Sequence, residues 1–353
     1  MSQVSEAARM TADGSTDRLP EGLLLDILSF LPSRDAVQTC VLARRWRNLW
    51  KGVPALRITP ATTSRYWGAS ALNNKFVNCL LFFRNQLPLH VAELNSYEGG
   101  DFDEAVQYLE LWIRLSLPGS RRITIWISQV VMTDCGIYCD CKRRTPLLGS
   151  MPYLVEAFVG LGDCDDFCKN SYEIGDCGDE SCWGCHFCEN NYGNSNCILL
   201  QGLSSCTNLE LTAATAPFIF RKDLTRCPVF SKLKTLLLNE WCITNNLGAL
   251  ICFLQHSPVL EKLIIQFEPP EIHERLVEIG ASYDLRKHSL VLKDLIVEVK
   301  CDDGDEQIHK FLDVLCSYGL PPEKIKIQQP PKVTGARFDN TWTSENVLAF
   351  LDS

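Results

Sequence analysis

The chain has 353 residues, 46% hydrophobic and 22% charged, a globular composition from which a sizeable core can form. Its formal net charge of -9 argues against a nucleic-acid partner, because binding phosphates requires clustered Lys and Arg to displace counterions. No uninterrupted apolar run approaches the roughly 20 residues that a bilayer-spanning helix needs, so a membrane role is not expected.

Residues 1–16 contain Glu6, Arg9 and Asp13 and no apolar stretch, and read as a disordered leader rather than a secretory signal. Without an export signal, the eighteen cysteines are expected to be reduced thiols in the cytoplasm or nucleus. Cys252 and Cys316 lie inside apolar periodic segments, where thiols behave as small buried hydrophobes.

Residues 17–57 carry the densest pattern. Pro20 suits a first helical turn, where its missing N–H would be unsatisfied anyway. Leu23, Leu24, Ile27, Leu28 and Leu31 follow on one helical face, and Pro32 ends that helix. Ser33 is the expected N-cap of a second short helix, with Asp35 near the positive end of its dipole. A continuing or third helix places Leu42, Trp46, Leu49 and Trp50 on one side and Arg44, Arg45, Arg47 and Lys51 mostly on the other. Three short helices in about 40 residues cannot bury this much Leu and Trp alone, so the module needs a partner, either another domain or another protein.

The run Asp17-Arg-Leu-Pro-Glu-Gly-Leu-Leu-Leu-Asp-Ile-Leu-Ser-Phe-Leu-Pro32, followed by Asp35-Ala-Val-Gln-Thr-Cys-Val-Leu-Ala-Arg-Arg-Trp-Arg-Asn-Leu-Trp50, resembles the F-box of flowering-plant F-box proteins. The resemblance implies docking of a Skp-type adaptor and, through it, a cullin ubiquitin ligase. It also implies that Leu19, Pro20, Leu24, Ile27, Leu28, Leu31, Pro32, Leu42 and Trp46 pack on the adaptor or set the module's shape. Trp50 is expected to face the following domain. The competing reading of the same periodicity is a helical hairpin that caps the larger domain with no outside partner.

Beyond residue 57 the chain alternates helical and strand-like segments. Phe76, Leu80, Phe83 and Leu87 have helical spacing, and Val106, Leu109, Leu111, Ile113 and Leu117 mark a second helix before Pro118. Candidate strands run over residues 122–128, 153–159, 207–212, 232–238, 260–267 and 292–300. A repeat underlies the later ones. Leu233-x-x-Leu236-x-Leu238 recurs further on as Leu260-x-x-Leu263-x-Ile265 and, at an equal step backward, as Cys206-x-x-Leu209-x-Leu211. A slightly longer forward step reaches Leu292-x-x-Leu295-x-Val297, and Leu154-x-x-Ala157-x-Val159 stands about two periods before the Cys206 copy.

This pattern resembles leucine-rich repeats, with most turn asparagines missing, and the competing reading is a compact α/β domain. Residues 291–330 read as strand, loop, helix and strand, and resemble the FBD-type end of plant F-box/leucine-rich-repeat proteins. The expected fold class is therefore α/β: a three-helix F-box over 17–57, then a divergent leucine-rich-repeat solenoid over 58–290. An FBD-like cap over 291–330 and a loosely held tail over 331–353 complete it.

Eleven cysteines fall between Cys135 and Cys206, including Cys182-x-x-Cys185-x-x-Cys188 with His186 beside them. The spacings would suit zinc, but no pair of Cys-x-x-Cys knuckles stands at a finger-like separation. Residues 160–197 therefore read as a reduced-thiol loop inserted between repeat strands, and no metal or cofactor is assigned. No G-x-G-x-x-G, P-loop, G-x-S-x-G or H-E-x-x-H motif occurs, and the six histidines are scattered. His256, before Ser257-Pro258, suits a helix end where it caps carbonyls. The chain is thus expected to be a non-enzymatic substrate receptor that brings an unknown protein target to a ligase. The alternative is a Cys-rich, zinc-organised interaction module with no ligase role.

Overall fold

The computed structural model describes residues 19–58, 68–84, 89–95, 108, 111–116, 119–127, 148, 150–161, 179, 181, 199–213, 223–243, 247–267, 294–301, 306–317 and 319–328. The leader, Asp17, Arg18, most of the Cys-rich stretch and the tail lie outside them.

The chain opens with two helices, α1 (Glu21–Ser29) and α2 (Ser33–Gln38). Pro20 and Pro32 stand just before them with extended backbone, each at the position that caps a helix without needing an N–H. Ser33 does not cap α2. Its Oγ accepts the Arg57 N–H at 2.9 Å, so the hydroxyl joins the helices to the strand that follows. The expected third helix is absent too. Residues 39–52 form short 3-10 turns at Thr39–Val41, Arg44–Trp46 and Leu49–Gly52. Breaking the helix separates Leu42, which is exposed, from Leu49, which is buried, so the two do not share a face.

The rest of the described chain is organised by one sheet of nine strands, all parallel and in chain order. They are β1 (Ala55–Ile58), β2 (Val91–Asn95), β3 (Arg122–Ile127), β4 (Glu156–Leu161), β5 (Asn208–Ala213), β6 (Thr235–Asn239), β7 (Lys262–Gln266), β8 (Ile296–Lys300) and β9 (Ile325–Gln328). Between them lie α3 (Gly68–Phe83), α4 (Leu200–Leu203), α5 (Gly248–His256) and α6 (Glu306–Ser317). Residues 111–116 are also helical. The fold is thus a mixed helix-and-strand structure with a parallel sheet.

Strand alternation explains the core. Leu209, Leu236, Leu263 and Val297 stand in register across neighbouring strands, and so do Leu211, Leu238, Ile265 and Val299. All eight are buried on one face of the sheet. The same two rows continue back through Ala157 and Val159, Ile123 and Ile125, Ala92 and Leu94 to Leu56 and Ile58. Helices supply the other side, as Val77, Leu250, Phe253, Phe311 and Leu315 show. The opposite face carries ion pairs between adjacent strands: Arg57 with Glu93, Arg122 with Glu156, and Lys262 with Glu298.

The register corrects two repeat alignments. Val297 and Val299, not Leu295 and Val297, are the partners of Leu263 and Ile265, so that step is two positions longer than the apolar pattern suggests. A shift of two keeps the same residues inside, which is why the pattern does not reveal it. The Leu154 copy lies one step from the Cys206 copy, not two. Ala157 pairs directly with Leu209 and Val159 with Leu211, so the Cys-rich stretch falls within a single crossover. Strands β1 and β2 are not among the strands expected from the sequence.

Two local details fix the sheet's geometry, one polar and one steric. The Asn239 side chain accepts the Ala213 N–H at 3.0 Å and donates to the Ala213 carbonyl at 2.7 Å, saturating backbone groups at the end of β5. Gly160 is required by a ring. A Cβ there would sit 1.9 Å from the Trp126 side chain, which stacks at 6.1 Å on Phe158.

Candidate functional site: an apolar surface on the N-terminal module

Helix α1 is apolar on two adjoining faces. Leu24 and Leu28 point inward and form a small core with Ala36, Leu49, Val53 and Ala55. Leu19, Leu25, Leu31 and Trp46 pack half-buried against it. The neighbouring face is left open. Leu23 is 49% exposed, Ile27 48% and Phe30 71%, at spacings of four and three that align them along the helix. Val41 (83%), which ends the first 3-10 turn, and Leu42 (69%), the residue after it, are also bare.

The expected site residues therefore divide. Leu24 and Leu28 are interior, Ile27, Leu42 and Pro20 are exposed, and Leu19, Leu31, Pro32 and Trp46 are intermediate. Leu23, Phe30 and Val41 belong to the exposed set and were not singled out as site residues. Their signal was an excess of apolar residues between Leu23 and Leu42 over what one buried face can hold. Isolated exposed hydrophobics are ordinary on protein surfaces; five within one short module are not.

The module is held to the sheet at several points. Arg57 on β1 donates from Nε to the Ser29 carbonyl at 2.8 Å and pairs with Glu93 on β2. Within the module itself, Arg45 donates to the Leu19 carbonyl. Trp50 packs against the main core, as expected from its place at the end of the module, and Arg34 lies over the Phe76 ring of α3 at 5.5 Å. These contacts leave the Leu23, Ile27 and Phe30 face uncovered.

Residues 17–57 match the F-box domain family. They are an F-box domain. The wider chain is similar to plant F-box proteins over limited stretches. It is 41% identical over 78 residues to an FBD-associated F-box protein of Arabidopsis thaliana, covering 22% of this chain and 17% of that protein. It is 32% identical over 115 residues to an F-box/FBD/LRR-repeat protein of the same plant, covering 30% and 25%. A meiotic F-box protein of Oryza sativa subsp. japonica is 71% identical over 35 residues, covering 10% and 7%. The chain thus spans a quarter or less of the length of these relatives.

Outside the F-box, the described residues include Cys206 and Cys242 among the buried thiols. Burial pushes Cys206 up to about 12 and Cys242 higher still, so neither is poised as a thiolate. No helix among the described residues is long and apolar enough to cross a membrane.

Proposed function

We propose that the chain is a substrate-receptor subunit of a Skp–cullin–F-box ubiquitin ligase. The observation that carries this reading is the bare apolar face of Leu23, Ile27, Phe30, Val41 and Leu42 on the F-box. Burying such side chains contributes about 1–3 kcal/mol each, against an association cost on the order of 4–15 kcal/mol. Several anchors acting together reach usable affinity; one or two do not. In this reading Leu24 and Leu28 shape the module, while Ile27, Leu42 and Pro20 touch the Skp-type adaptor.

The parallel sheet and its helices serve as a divergent leucine-rich-repeat solenoid, in which each strand row buries its apolar face only by stacking on its neighbours. β8, α6 and β9 close its far end as an FBD-like unit. The protein target docks on the solenoid, and ubiquitin transfer follows from proximity: tethering raises the local concentration of two reactants, so the receptor needs no reactive residue of its own. Nucleic acid and membrane are not partners in this scheme, and the cytoplasm or nucleus is its setting.

The test is capture of a purified Skp-type adaptor by the full chain. Changing Ile27 and Leu42 to Asp places charges on the exposed face and is expected to weaken capture at least about a hundredfold while leaving the thermal melt unchanged. Adaptor binding that survives both changes overturns the assignment. Leu24 and Leu28 are unsuitable for this purpose, because a buried Asp would unfold the module.

A further inference from the structure

Cys252 and His256 stand one turn apart on α5, which places both side chains on one face of the helix. Facing them is the segment 223–230, which bears Cys227. The Cys227 and Cys252 sulfurs and a ring nitrogen of His256 all lie within 4.8 Å of one another. Cys252 Sγ is 3.8 Å from His256 Nδ1.

The frame around these donors is fixed. The Phe230 N–H donates to the His256 carbonyl at 2.8 Å, tying the segment to the end of α5. Cys252 Sγ donates to the Leu224 carbonyl at 3.6 Å, and the Phe230 and Phe253 rings meet at 6.0 Å. Asp223 is wholly buried, its Oδ2 accepting the Leu199 and Leu200 N–H groups at 2.7 and 2.9 Å. The segment is thus anchored on both sides of Cys227. That residue and His256 are only half-buried, which leaves the cluster reachable from solvent.

We propose that Cys227, Cys252 and His256 form a binding site for a thiophilic divalent cation of the zinc class, with its fourth position open to water. Tetrahedral zinc with bonds of about 2.3 Å to sulfur and 2.0 Å to nitrogen separates sulfur from nitrogen by about 3.5 Å and sulfur from sulfur by about 3.8 Å. The Cys252–His256 spacing of 3.8 Å is close to this, and with all three donors inside 4.8 Å no pair needs to close by more than about 1.3 Å. Two thiolates and one imidazole are the donor set that such an ion prefers over Mg²⁺ or Ca²⁺.

Binding releases the two thiol protons to solvent and leaves two thiolates and a neutral imidazole on the metal. Without metal, His256 Nδ1 lies 2.8 Å from the Cys252 carbonyl, the spacing of a helix-end cap. Coordination through Nδ1 moves the ring proton to Nε2 and replaces that cap. Sequence spacing could not show this site, because Cys227 lies between β5 and β6 while Cys252 and His256 lie between β6 and β7, and only the packing of these two successive crossovers brings them together.

The test uses the reduced, metal-stripped full chain titrated with cobalt(II), whose tetrahedral thiolate complexes absorb in the visible. Other cysteines could also take up cobalt, so the reading is a difference between variants. Cys227→Ser and Cys252→Ser are each expected to lose about one cobalt per chain, and His256→Gln to weaken uptake roughly tenfold or more with an altered visible spectrum. Cys242→Ser, outside the cluster, is expected to match the wild type. Added zinc should raise the melting temperature of the wild type more than that of the His256→Gln chain. The proposal is overturned if the wild type binds no cobalt. It is equally overturned if folded Cys227→Ser and His256→Gln chains bind as much as the wild type with the same spectrum.

Discussion

Glu210 sits on β5 between Phe158 and Leu237 of the adjacent strands, on the face opposite the main core. Burial against these neighbours pushes its carboxyl from 4.5 up to about 7, while the positive charge of Lys300 acts in the opposite direction. The unfolded chain releases this proton near 4.5 and the folded chain near 7. Stability from this group is therefore fully present below about 4.5 and is lost as pH rises to about 7. Glu210→Gln is expected to flatten the fall in melting temperature between pH 4.5 and 7 and to melt higher than the wild type at pH 8. Parallel melting curves for the two chains across that range would refute the placement. The alternation of β5 makes this residue's face readable from sequence, but its neighbours on the next strands are not.

At the scale of elements, α1 and its junction with β1 show how far periodicity reaches. The spacing of Leu24, Ile27, Leu28 and Leu31 predicts a helix, and a helix forms. Periodicity does not say which of two apolar faces is inward, because Leu23 and Ile27 are as hydrophobic as Leu24 and Leu28. The choice depends on where Leu49, Val53 and Ala55 come to rest. Arg57 settles the junction. Its side chain is 13% exposed and its partner Glu93 is 19% exposed, so removing the cation leaves a largely buried carboxylate unpaired. Arg57→Ala is expected to destabilise the chain by about 2–4 kcal/mol, measured by chemical denaturation, and to speed proteolysis between α2 and β1. A loss below about 0.5 kcal/mol would place this pair among contacts of no consequence.

For the whole molecule, the parallel sheet has two ends, and a bare end is an open template for association. At the far end β9 pairs with β8, and α6 buries Ile308, Phe311 and Leu315 against the core. The Phe311 ring meets Phe267 at 6.3 Å. Removing residues 306–353 would uncover Val297, Val299 and Phe267 together with the edge of β8. The shortened chain is expected to self-associate on size-exclusion chromatography at micromolar concentration and to melt several degrees lower. A monodisperse truncated chain with an unchanged melt would show that the sheet does not need this end.

The amino-acid order alone determined the helical start, the recurrence of apolar triplets and the strand–helix–strand ending, because each is a local period of 3.6 or 2 that a short window contains. Only the tertiary structure decided which leucines of α1 stay bare, that β4 lies directly beside β5 despite the long Cys-rich stretch between them, and that Cys227 meets Cys252 and His256. Those outcomes depend on which distant segments share one apolar surface. Chain order does not record that choice, since many registers bury the same residues and the packed core selects among them.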